Sequence, residues 1–176
     1  MNDKFINHLK SMMHSPVHNY IIPGLTSWKI GEPSEKGMVR LFTCSRNHHE
    51  CISPHSHRFD FDCLVVSGHV DNITWVKHKD GDEFMVSRLS YNNEIGNHTR
   101  LEEEVCKFKS ILSRYGEGKI YGMSYNQIHS IRFTKNSMVL FFEGEDKTNE
   151  TFMLEPYVNG KKVPTGRVQD WMFIKE

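Results

Sequence analysis

The sequence predicts an all-β domain, a sandwich or a barrel, and three observations carry that reading. Short apolar runs recur at close spacing between residues 37 and 158. Gly, Asn and Asp turn signals separate them. Helical spacing of apolar residues is confined to two stretches, one at the N-terminus and one near the middle. The 176 residues suit one compact domain, and no repeat, low-complexity tract or linker divides them. A single domain over 1–176 is expected, with its barrel core over residues 20–160.

Each element has a local reason. Phe5, Ile6, Leu9, Met12 and Met13 recur at helical spacing, so residues 3–13 read as a short amphipathic helix on the domain edge. Pro23, Gly24, Gly31 and Pro33 break the next stretch into short extended pieces. GMVRLFTC (37–44), FDCLVVSG (61–68) and HVDNITWVKH (69–78) read as strands. KDGD (79–82) is a turn signal, and EFMVSRLSY (83–91) reads as the strand after it. In TRLEEEVCKFKSILSRY (99–115), Leu101, Val105, Phe108, Ile111 and Leu112 lie near helical spacing. They predict a short helix, or a helical insertion between strands, near 99–115. KIYGMS (119–124), HSIRF (129–133), SMVLFFEG (137–144) and TFMLEPYV (151–158) complete the strands, and an apolar patch, WMFI, follows at 171–174.

Composition excludes some functions. Lys+Arg and Asp+Glu both total 22, a balance that argues against a domain built to wrap phosphate backbones. The opening MNDKFINHLKSMM is too polar for a secretory h-region, and no apolar run reaches membrane-spanning length. The four cysteines form no CxxC pair and read as reduced thiols in a cytoplasmic protein. Cys44 and Cys51 with His48 and His49 fit no standard structural-zinc spacing.

The 11 histidines leave ample ligands for a site. His55 and His57, in SPHSH, are two apart, which places both on one face of a strand. Side by side on an inner face, two imidazoles are costly unless they bind something, and a divalent metal takes their neutral nitrogens directly. Solvation at an exposed strand start, just after Pro54, is the other reading. GKIYGMSYNQIHSI (118–131) reads as a hairpin. Asn126 sits at its turn, as a residue that tolerates left-handed backbone, and His129 opens the next strand, aimed at a neighbour.

These two stretches resemble the two motifs of the cupin superfamily. The first motif is a glycine, five residues, HxH, three or four residues, an acid, six residues and a glycine. His55, His57 and Gly68 match it. The second is a glycine, five residues, PxG, two residues and a histidine. Gly118, Ser124, Asn126 and His129 match that spacing, with Ser124 in place of proline and Asn126 in place of glycine. The resemblance implies a cupin-type double-stranded β-helix barrel that holds one metal through His55, His57 and His129, with open positions for substrate or oxygen.

The chain departs from the family at the fourth ligand. Counting back from Gly68 puts Phe61 at the acid position. Strand parity agrees, because His55, His57, Phe59, Phe61, Cys63 and Val65 share a face. The longer spacing selects Asp62 and needs a bulge; Asp60 and Asp62 otherwise read as solvated side chains. A three-histidine set without a carboxylate is similar to the thiol dioxygenase branch, which implies Fe(II), molecular oxygen and conversion of a thiol to a sulfinic acid. Zinc, manganese or nickel are the alternative metals, and no organic cofactor is implied. Tyr121, Tyr125 and Arg40 are the candidate catalytic residues. Cys63 is expected on the inner face, and Arg40 and Arg132 suit a substrate carboxylate or phosphate. HxH in place of HxD or HxE sets the 2-oxoglutarate oxygenases aside.

The expected function is thus a mononuclear non-haem iron dioxygenase acting on a small molecule such as a thiol. The alternatives are a cupin isomerase or lyase with a Lewis-acid metal, and a non-catalytic binding module for a small ligand or protein. The expected partner is a small-molecule substrate, with neither nucleic acid nor membrane. A homodimer packed through the N-terminal helix and WMFI is expected by analogy with other cupins.

Overall fold

A computed structural model describes residues 3–34, 37–92, 94–165 and 168–170. Its elements in chain order are α1 (Asp3–Met12), β1 (Met13–His18), β2 (Leu25–Ser34), β3 (Gly37–Cys44), β4 (Glu50–His55), β5 (Phe59–Ser67), β6 (His69–Asn92) and β7 (Asn97–Gly116). Then follow β8 (Ile120–Met123), β9 (Ile128–Phe133), β10 (Met138–Asp146), β11 (Glu150–Val158), β12 (Lys161–Lys162) and β13 (Val168–Asp170).

Two antiparallel sheets carry the fold. One runs β1-β2-β3-β10-β5-β8 and the other β12-β11-β4-β9-β6-β7. From β3 to β10 the chain crosses between them at each step, except where β6 and β7 form a hairpin within one sheet. This alternation winds two antiparallel ribbons into a double-stranded β-helix, the barrel of the cupin type that the sequence predicts. The interior is apolar: Leu25, Ile52, Phe61, Val65, Ile131, Phe133 and Val139 meet between the sheets. Gly68 turns β5 into β6 with φ +69°, and a Cβ there would lie 3.0 Å from the Ser137 backbone, so glycine is required.

α1 forms where its apolar spacing predicts. Leu9 is buried against Leu41, Val66 and Leu140 on the outer face of the first sheet, with Ile6 beside it. Leu9 and Ile6 of the stripe are thus used within the chain, while Phe5 and Met12 stay exposed. The WMFI patch at 171–174 lies outside the described residues.

Two expectations are corrected. No helix forms at 99–115; β7 is one continuous strand there. Cys106 and Phe108 turn to the core and Leu112 packs beside them, while Val105 and Ile111 stay exposed. The residues alternate with period two, and the helical spacing was a coincidence of which apolar residues lie on the outer face. KDGD does not reverse the chain either. β6 runs through it, and both Lys77 and Asp82 stand opposite Phe108, so residues 78–81 bulge out of the ladder. A Cβ at Gly81 would overlap the Phe108 backbone, which explains a glycine in a strand.

Asp71 on β6 anchors three strands. Its side chain is fully buried; it accepts hydrogen bonds from Arg114 Nε of β7 at 2.7 Å and Arg132 Nη2 of β9 at 2.6 Å. Burial alone would raise its pKa, but the two guanidiniums overcome that and hold the carboxyl below its ordinary value. Its ionised form is thus favoured by folding. The stabilisation is complete above the unfolded carboxylate's pKa of about 3.9 and is lost as pH falls through the lower folded value. Asp71→Asn should cost about 3 kcal/mol in urea unfolding at pH 7, and the gap to the parent protein should close below about pH 4.

Candidate metal centre

The three histidines predicted from the sequence meet. His55 closes β4 and stands directly opposite His129 of β9 in the ladder. The register slips by one residue between Ile52 and His55, and the buried Pro54 occupies that bulge. Proline has no N–H to lose from the ladder, so the bulge is where it fits. The Ser53 carbonyl in the same bulge accepts the His55 Nδ1–H at 2.7 Å. His57 lies beyond the strand, in the 56–58 loop, yet it stays on the same side. Two clamps hold it there: its backbone N–H donates to Tyr125 O at 3.2 Å, and the Ser56 N–H donates to Phe152 O at 2.9 Å.

The rings are close. Centroids lie 4.7 Å apart for His55 and His57, 5.0 Å for His55 and His129, and 5.2 Å for His57 and His129. The ligand atoms of the three all fall within 4.8 Å of one another. His129 Nδ1–H donates to Asn72 Oδ1 at 2.7 Å, so its Nε2 keeps a free lone pair. The bond from His55 to Ser53 leaves Nε2 of His55 the same way. Burial lowers the pKa of all three, and the neighbouring rings lower His57 and His129 further. All are therefore neutral near pH 7, the form in which imidazole binds metal.

His57 Nε2 and His129 Nε2 lie 3.0 Å apart. Two cis ligands at about 2.1 Å from one metal, at a right angle, stand about 3.0 Å apart. The His57–His129 spacing thus suits two ligands of one divalent cation, with His55 close enough to offer a third. The same distance suits an N–H···N bond between His57 and His129.

Phe61 stands where a fourth ligand would sit. Its ring lies 4.7 Å from His57 and 5.3 Å from His129. Asp60 and Asp62 are exposed, and neither belongs to the converging group. Asp60 instead accepts the Tyr125 backbone N–H at 2.8 Å, tying the start of β5 to the β8–β9 turn. That turn closes through the Gln127 N–H to Ser124 O, and Asn126 does not need the left-handed backbone expected of it.

The histidines open on a cavity of about 280 Å³. Phe42, Phe59, Phe61, Phe133 and Phe141 wall it, and its polar lining includes Arg40, Arg58, Cys63, Tyr121 and Glu143. The structure thus brings Arg40, Tyr121 and Cys63 to the histidines. Burial pushes the Cys63 thiol up to about 12, which keeps it protonated. Tyr121 lies opposite Cys63 on β8, with its hydroxyl buried and in hydrogen-bonding reach of the Cys63 thiol. Tyr125 is exposed, is absent from the cavity lining and serves the site through its backbone. Arg132 is engaged with Asp71 and takes no part in the lining. Cys44, Cys51, His48 and His49 form no converging group among the described residues.

Sequence reasoning missed Arg58, Asn72 and Glu143 at the site, and of these the acid is Glu143. It stands opposite Phe61 in the β10–β5 ladder, one strand from the absent acid. Burial raises its pKa, while Arg40, with Nε 3.9 Å from Oε2, pulls the other way. Its period-two relation to Phe141 in MVLFFEGED was the signal available.

No family model and no curated protein matches the chain. Solved structures do match. KdgF from Halomonas sp. is 15% identical over 80% of this chain and 86% of its own, with a TM-score of 0.38. A cupin superfamily protein from Desulfitobacterium hafniense is 10% identical over 76% and 84%, at 0.42. HEPD from Streptomyces albus, with Fe(II) and 2-hydroxyethylphosphonate bound, is 9% identical over 76% and 24%, at 0.46. At such identities and scores these proteins lend this chain no residue, ligand or reaction.

Asn72 is the supporting contact most open to test. Asn72→Leu leaves the His129 Nδ1–H without its acceptor and the ring free to turn. Affinity for Zn(II), measured by chelator competition, should fall about 10- to 100-fold while the fold is retained.

Proposed function

We propose that this chain is a mononuclear metal-dependent cupin enzyme, and that it is a non-haem iron dioxygenase acting on a small molecule such as a thiol. One observation carries the proposal: three neutral imidazoles converge on one face with Phe61, not a carboxylate, beside them. A donor set without charge leaves a divalent ion its full positive charge, which favours an anionic substrate atom and dioxygen at its open positions.

The chain's own residues then supply the surroundings. The phenylalanine walls keep bulk water from the reacting atoms. Arg40, at the cavity rim, orients a carboxylate or phosphate on the substrate by paired N–H donors. The buried Tyr121 hydroxyl, beside the Cys63 thiol, offers a proton or a hydrogen bond inside the cavity. Bound iron would supply the activation of dioxygen, and the overall change adds both its oxygen atoms to the sulfur of a thiol, giving a sulfinic acid.

A second reading rests on Glu143. A half-buried carboxyl with a raised pKa, lining the cavity, suits proton transfer at a substrate carbon in an isomerase or lyase. The metal would there serve as a Lewis acid. Both readings take a small-molecule partner; neither involves nucleic acid or a membrane.

Protein loaded with Fe(II) under nitrogen should consume oxygen when offered a panel of small thiols and thiol carboxylates. His129→Ala should bind no metal and consume none. Turnover with Zn(II) or Mn(II) and without oxygen would replace the first reading by the second. Arg40→Gln should raise KM for an anionic substrate about tenfold or more and leave kcat nearly unchanged.

A further inference from the structure

β7 ends its sheet and, among the described strands, pairs only with β6. It runs for 20 residues and contains no proline. A long, unblocked edge strand is a template for a further strand. Apolar side chains stand exposed along it: Leu101 at 46%, Val105 at 44% and Ile111 at 54%, with Val76 of β6 beside them at 39%. These values are too high for side chains that the other described residues cover.

The order of charges on β7 indicates the partner. Glu102, Glu103 and Glu104 precede Val105 and Cys106, and Lys107 and Lys109 follow. The pattern changes sign about its own centre. An antiparallel copy of the same strand centred on Cys106 therefore sets Glu103 opposite Lys109 on each side of that centre, and a parallel copy in register sets like against like. With formal net charge zero, no long-range repulsion keeps two copies apart.

We propose that two copies of this chain associate edge to edge through β7, antiparallel, about a two-fold axis at Cys106. Such a contact is isologous. Residues of one parity meet on one face of the joined sheet, so Glu103 faces Lys109 of the other copy and Val105 faces Lys107, each twice. Glu103 already pairs with Lys162 and Arg100 of its own chain, and Lys109 of the copy would be the third cation at that carboxylate. This places the dimer away from α1, one of the two segments through which the sequence led us to expect it.

Cys106 reports on the axis. It is the half-buried cysteine, and Cys44, Cys51 and Cys63 are buried. Facing residues of an antiparallel pair have Cα atoms about 4.5–5.5 Å apart, within the range of roughly 4.4–6.8 Å that a disulfide spans.

Sedimentation equilibrium of the full chain should give a dimer, and diamide should convert it to a covalent dimer that Cys106→Ser prevents. Lys109→Glu should weaken association about tenfold or more, because it sets two carboxylates face to face. Glu103→Lys combined with Lys109→Glu should restore it. A chain that stays monomeric at tens of micromolar overturns the proposal. So does a dimer whose constant is unmoved by Lys109→Glu.

Discussion

Three uncharged rings held together inside a barrel wall are the constraint on which the rest depends. An imidazole buried among others is disfavoured in its charged form, and its lone pairs need partners. The local structure around the three rings answers that need. The Pro54 bulge frees the Ser53 carbonyl for His55. Asn72, buried on β6, takes the outer proton of His129. The 56–58 loop is fastened at both sides so that His57 continues the line of β4 after the strand has ended. Each of these contacts points an Nε2 inward.

The two faces of the β6 wall divide the work. Inward, Asn72 orients a site histidine; outward, the adjacent Asp71 binds Arg114 and Arg132 and ties β6 to both its neighbours. Strand alternation makes this division possible, because consecutive residues point to opposite faces. It also explains why Arg132, close to His129 in sequence, does not reach the cavity. The carboxylate of the cavity comes from a third place. Glu143 on β10 sits beside Phe61, in reach of the substrate space but outside the group of ligand atoms. The chain thus keeps an acid near the centre while leaving the ligand set neutral.

The site was more legible than the hairpin. HxH spacing and a histidine after a turn are local signals, and the count back from Gly68 in the cupin motif puts Phe61 at the acid position, with strand parity in agreement. Glu143 was invisible because its relation to Phe61 is a ladder contact across 82 positions of sequence, which no local pattern encodes. Tyr125 was misplaced because one residue of uncertainty at the β8–β9 turn decides between cavity and solvent. In β7 the apolar residues lie on both faces, so a periodicity count mixes the core set with an exposed set and returns a helix. KDGD has the composition of a turn, but Gly81 serves the close approach of Phe108 within a bulge. Turn chemistry and bulge chemistry draw on the same residues.

The claim at the centre of this account is that His55, His57 and His129 together hold one divalent metal. X-ray absorption at the metal edge of the Fe(II)-loaded protein tests it most directly. The account predicts a first shell of nitrogen and oxygen at about 2.0–2.2 Å, with outer-shell scattering from three imidazoles that drops to two in His57→Ala. A sulfur shell near 2.3 Å, or a spectrum unchanged by loss of His57, would contradict it.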